Sequence, residues 1–99
     1  MQLSHLWRQH RDAGCPSELK GVVIAGTDAR SLDAEITSCA CAVLAHTLTV
    51  DDRIERRLAE ISLDLARRQI QAEPPVAEYC ERLNRLVSAV LTRNRIGHS

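Results

Sequence analysis

Between residues 50 and 91 apolar positions recur every three or four residues. Ile54, Leu58, Ile61 and Leu65 are spaced four, three and four apart, and Val76, Cys80, Leu83, Val87 and Val90 continue the rhythm in a second series. Each series lays an apolar stripe along one side of a helix. Ala72-Glu73-Pro74-Pro75 separates the two. A residue that precedes proline is pushed out of the α region, and Pro75 suits the first position of a helix. Two stripes joined by so short a loop must face each other or a third element, so this stretch predicts an antiparallel helical hairpin. Thr49 is placed to cap the first helix, with Asp51 and Asp52 in the turn where the helix dipole favours negative charge. On the exposed sides Asp52–Arg56, Asp64–Arg68, Glu78–Arg82 and Glu81–Arg85 are pairs four apart with the acid first, the better orientation.

Upstream, Leu32, Ile36, Cys39 and Val43, with Ala40, Leu44 and Thr47 adjoining, predict a helix from about Ser31 to Thr47, capped by Thr27-Asp28 or by Ser31. From Cys39 to Ala45 this helix is apolar on every side, the mark of a buried one, and it is expected in the middle of the bundle. Leu3, Leu6, Trp7 and His10 predict a short amphipathic helix over 3–11, broken by Ala13-Gly14-Cys15-Pro16-Ser17. Val22-Val23-Ile24, between Gly21 and Gly26, favours an extended backbone. A single strand leaves its backbone groups unpaired, so the segment either lies as an apolar arm on the helices or pairs with its twin in a dimer. Past Leu91 the chain turns polar with a glycine stop and is expected to fray. The expected product is an all-α single domain over 1–99: an antiparallel three-helix bundle (31–92) behind a short N-terminal helix and extended apolar arm (1–30), with a frayed tail (93–99).

Ninety-nine residues suffice for one core without metals or disulfides. Thirteen basic and thirteen acidic side chains cancel, which removes a global field for nucleic acid or an anionic bilayer. Lys20 is the one lysine, and the arginine, alanine, leucine and valine excess is what a GC-rich genome writes. With Trp7, Tyr79 and no phenylalanine, the core must be aliphatic and a base-stacking platform is nearly excluded. No apolar run reaches membrane-spanning length, and no signal-like apolar region opens the chain. A cytoplasmic location follows as the default expectation, with Cys15, Cys39, Cys41 and Cys80 as thiols rather than a disulfide framework.

Candidate chemistry is sparse. Cys39, Cys41 and His46, with Cys80, Cys15 and His10, contain the residue types of a zinc site. Residues two apart on a helix point about 200° from each other, so Cys39 and Cys41 cannot share an ion, and packing thiols are the expectation. Cys15, on a Gly-Cys-Pro turn near Arg11 and His10, is the candidate reactive thiol, but no Cys/His spacing supports catalysis. Arg53, Arg56, Arg57, Arg67 and Arg68, then Arg82, Arg85, Arg93 and Arg95, suggest a phosphate or nucleic-acid face. Interleaved Asp and Glu make a solvated helical surface the plainer reading. Arg68 alone falls near an inward stripe. Leu3, Leu6 and Trp7 form one peripheral apolar patch, and Val22, Val23 and Ile24 another. Either they close the open side of the bundle or they contact a partner.

Gly26-Thr27-Asp28, followed by Leu32-Asp33-Ala34-Glu35-Ile36 and Ser38-Cys39, resembles a set of short uncharacterised helical proteins of high-GC bacteria. These share a Leu-Asp-Ala-Asp/Glu-Ile/Val-x-Gly-Cys run before two arginine-rich helices, the second carrying a tyrosine; here Ser38 stands at the glycine position. The resemblance spans residues 20–90 and implies one compact domain, with no assigned activity and no site residues. Together these features lead us to expect a small intracellular helical interaction module that self-associates. Its partner is protein or a second copy, and neither cofactor nor catalysis is expected. The alternative is a nucleic-acid-binding or regulator accessory protein using the arginine faces.

Overall fold

The computed structural model describes residues 3–97, and the side chains of 3–93. Four helices form: α1 (Leu3–Ala13), α2 (Ala29–Leu44), α3 (Asp52–Gln71) and α4 (Pro74–Gly97). Between α1 and α2 lie one 3-10 turn (Ser17–Leu19) and a two-residue antiparallel hairpin, β1 (Val23–Ile24) with β2 (Thr27–Asp28). The fold is a mostly helical bundle with a short N-terminal helix, as the periodicity predicts.

The α3–α4 hairpin is the principal packing unit. Leu58, Ile61 and Leu65 of α3 are buried against Cys80, Leu83, Val87 and Val90 of α4, and Ile54 and Val76 pack at the edges. The middle of the bundle is α4 rather than α2, since α4 contacts α1, α2, α3 and the 3-10 turn. The reason is side-chain size. Tyr79 and Leu86 are fully buried beside the expected α4 stripe and widen its apolar arc to serve several neighbours. The apolar run of α2 consists largely of Ala and Cys, which remove little area from water. Ala40 is buried there, but Cys39, Ala42, Val43 and Leu44 are half-buried and Cys41 is exposed. A cleft of about 490 Å³, lined by Ile36, Cys39, Ile54 and Leu58 among others, lies between α2 and α3.

The helix ends show which polar residues act on the backbone. Asp28 caps α2, accepting from the Ser31 amide at 3.3 Å. Thr49 does not cap α3; Asp51 does, accepting from the Ile54 amide at 2.9 Å. Val50 dives into the core just before it, so the first residue free to cap comes after Val50. α2 ends in a Schellman turn: the His46 amide donates to Val43 O and the Thr47 amide to Ala42 O, with His46 left-handed at φ 59°. α4 begins at Pro74, one residue earlier than expected, and its backbone stays helical to Gly97. No breaker precedes that glycine in the sequence; residues 98 and 99 of the expected tail lie outside the described residues.

The apolar arm finds its partner in its own continuation. Val23 pairs with Asp28 and Ile24 with Thr27, a strand too short to register in the sequence. Both connecting residues, Ala25 (φ 51°) and Gly26 (φ 80°), are left-handed, which fits the tight hairpin turn whose twist matches its strands. Ala25 is unusual at such a position. Its amide donates to Asp64 Oδ2 at 2.7 Å, and its carbonyl accepts from Arg57 Nη1 at 2.9 Å. Arg57 also donates to Thr27 Oγ1 at 2.8 Å. Two side chains of α3 thus clamp the turn, and Ile24 is pressed into the core while Val23 faces out.

Candidate functional site

Among the described residues, buried polar side chains converge around Asp33. Its position on the inner edge of α2 brings it to the junction with α1 and α4. His10 Nε2, from α1, lies 2.6 Å from Asp33 Oδ2 and donates its N–H to that oxygen. The Tyr79 hydroxyl, from α4, donates to the same oxygen, and the Cys15 thiol approaches it at 3.7 Å. Tyr79 is fully buried and His10 is 3 % exposed. Four segments of the chain therefore meet on one carboxylate oxygen.

The electrostatics follow from that geometry. Burial alone would push the Asp33 carboxyl up, but the hydrogen bonds from His10 and Tyr79 outweigh it and hold the group below the ordinary carboxylate range. Burial, then the Asp33 hydrogen bond and charge, push the Tyr79 phenol well above its usual value. Burial and the Asp33 charge raise the Cys15 thiol. Cys15 is thus held as a thiol, the unreactive form. His10 Nδ1 is buried without a hydrogen-bond partner among the described residues. A histidine with one nitrogen on a carboxylate has the form of a general base, but this free nitrogen is walled in. Arg82 closes the junction, donating to Gly14 O at 3.0 Å with its guanidinium over the Tyr79 ring. A cleft of about 270 Å³ between Trp7, Arg11, Cys15 and Thr37 overlies the group. The arrangement fastens α1 and its following turn to α2 and α4.

The other residues singled out in the sequence are dispersed. Leu3, Leu6 and Ile24 are buried in the core, whereas Trp7 and Val22 are half-buried and Val23 is 49 % exposed. The Arg11 guanidinium lies 4.9 Å from the Trp7 ring centroid. Among the described residues no group of three or more His, Cys, Asp or Glu is placed to hold a metal ion. His46 serves the α2 terminus, Cys80 is buried, and Cys15 shares its exposure with Cys41. Of the arginines, Arg57 holds the hairpin, Arg68 pairs with Asp64 at 3.3 Å, Arg82 holds Gly14 and Arg85 pairs with Glu81. Asp52–Arg56 and Glu78–Arg82 are not among the ion pairs of the described residues. The side chain of Arg95 lies outside the described residues.

One feature of α3 was missed by reading only its core stripe. Ala59, Leu63, Ala66 and Ile70 are spaced four, three and four apart and all are exposed, Leu63 by 62 % and Ile70 by 86 %. At about 100° per residue this second stripe is turned roughly 140° from the core stripe. Val23 borders it, sharing with Leu63, Glu60 and Arg67 a shallow hollow of about 370 Å³ between hairpin and helix. The spacing is visible in the sequence, but two alanines make it read as a polar face.

In comparisons with known proteins, the chain matches no family model, no curated protein and no solved structure. Among the described residues no helix is long and apolar enough to cross a membrane.

Proposed function

We propose that this protein is a small helical interaction module that self-associates through the outward face of α3. The observation that carries the reading is the exposure of Leu63, Ile70 and Val23 along one side of a helix whose opposite side already fills the core. Scattered apolar residues on a surface need no explanation, but a helical stripe of them with an apolar border is an interaction surface in the making. Covering a Leu or Ile side chain contributes about 1.5–3 kcal/mol, and a pair of copies covers each twice. No catalysis is part of this reading. The polar groups that converge on Asp33 include a thiol held protonated and a histidine nitrogen closed to solvent, which favours a fastening over a reactive centre.

Light scattering after size exclusion across the micromolar range tests the proposal. The wild-type chain is expected to have the mass of a dimer. L63E/I70E is expected to be a monomer with the same helical content, since both side chains stand outside the core. A wild-type chain that stays monomeric throughout that range overturns the reading.

A further inference from the structure

We propose that the partner is a second copy whose α3 runs antiparallel to the first, about a two-fold axis at the level of Asp64 and Leu65. This inference rests on the self-association proposed above and specifies its geometry. It comes from the order of side chains on the exposed stripe, which alternates small and large: Ala59, Leu63, Ala66, Ile70. Turned antiparallel in this register, Leu63 seats on Ala66 of the partner subunit and Ile70 on the partner's Ala59. Every large side chain meets a small one, as close packing requires. The helices then approach at the short end of the usual range of about 8–10 Å.

The flanking charges agree with this orientation. Glu60 and Arg67 are both exposed on the hairpin side of the stripe, on opposite sides of the proposed axis, and the two-fold leaves them offset by about 3 Å along the helix. The two-fold brings Glu60 against Arg67 of the partner subunit, and the converse pair forms by symmetry. Such rim pairs add little energy but set register and direction. The parallel alternative is disfavoured on both counts. It stacks Leu63 on Leu63 of the partner subunit and Ala66 on the partner's Ala66, so wide and narrow layers alternate. It also brings Glu55 towards the partner's Glu60, a like-charge contact. Val23, beside Leu63 in the hollow of the hairpin, widens the covered area on the same flank as the charges.

Dimer dissociation constants of four variants, each checked for helical content and melting temperature, test the geometry. E60R and R67E each place like charges together twice and are expected to weaken the dimer about tenfold or more, equivalent to about 1.4 kcal/mol. The double swap E60R/R67E is expected to restore it to within about threefold, given two re-formed pairs. Because Glu60 also lies 3.7 Å from Arg57 within its own chain, A66L supplies an independent reading. It adds apolar surface yet fills the seat of the partner's Leu63. Weaker association of A66L supports the register, and stronger association overturns it in favour of unspecific apolar contact. A wild-type dimer whose affinity the single charge reversals leave unchanged, or the double swap fails to restore, overturns the antiparallel register while leaving self-association standing. A monomeric wild-type chain overturns both.

Discussion

Replacing Asp33 by alanine removes the one acceptor that His10, Tyr79 and Cys15 share. Two of those donors, His10 and Tyr79, are buried, so neither can turn to water. A hydrogen bond to a charged group contributes roughly 1.5–3 kcal/mol, and stranding its buried partner costs a similar amount. Two such donors, less the desolvation that Asp33 itself no longer suffers, give an expected loss of about 3–4 kcal/mol for D33A. That is a large part of the roughly 5–15 kcal/mol that holds a domain of this kind together. D33N keeps a neutral acceptor and should lose about half as much. Urea unfolding followed by circular dichroism measures both, the midpoint shifting at constant slope. Y79F supplies the internal control: it should cost about 1–2 kcal/mol in the wild type and nothing in D33A, where the hydroxyl has already lost its partner. The pH dependence has a definite sign. Asp33 is held below its unfolded value of about 3.9, so its contribution is complete above that pH and disappears as pH falls through the folded value. The acid limb of the stability curve should therefore be shallower in D33N than in the wild type. A D33A cost under about 1 kcal/mol, or equal Y79F costs in both backgrounds, would refute the shared-acceptor reasoning.

Three further outcomes are expected. H46G relieves a left-handed residue at the end of α2 and should stabilise the chain by about 0.5–1 kcal/mol in a thermal melt; a lower melting temperature would show that the His46 side chain is needed elsewhere. R57A or D64A releases one side of the Ala25 turn and should cost about 1–2 kcal/mol. For these two variants stopped-flow kinetics should show faster unfolding with folding unchanged, because the clamp joins distant parts of the chain; a slowed folding limb would place it in the nucleus. Cys15, its thiol raised by burial and by Asp33, should alkylate with iodoacetamide at pH 8 more slowly than in the urea-unfolded chain, read site by site by mass spectrometry. D33N should speed it, and equal rates in folded and unfolded chains would remove the electrostatic account.

The core of α3 and α4 was legible because aliphatic residues at Ile54, Leu58, Ile61, Leu65, Leu83 and Val87 keep helical time without interruption. Asp28 was legible as one of the candidate caps of α2, beside Thr27 and Ser31. Thr49 reads as the α3 cap that Asp51 supplies, because the burial of Val50 is not a local signal. The position of α4 at the centre was not, since Tyr79 and Leu86 fall beside its main stripe and gain meaning only when α1 and α2 cover them. The fastening around Asp33 was illegible for a different reason. Its partners lie 23 and 46 residues away, and nothing local distinguishes Asp33 from a solvated acid. The hairpin was hidden because its turn carries alanine where asparagine or glycine is the usual signal, the difference being made up by Asp64 and Arg57 from another helix. The exposed stripe of α3 lay open in the sequence, but alanine at two of its four positions counts for little by hydrophobicity and for much by shape.

The clamp on Ala25 also bears on how the chain is made. Synthesis delivers the N-terminus first, and the groups that hold this turn are encoded 32 and 39 residues later. Val22-Val23-Ile24, the most β-branched run in the protein, therefore leaves the ribosome ahead of the helix that clamps its turn. It waits unshielded until α3 has emerged, a window in which a sticky nascent segment depends on chaperones or on speed. Translation pauses before Asp64 has emerged from the ribosome would lengthen that window, and pauses after it would not.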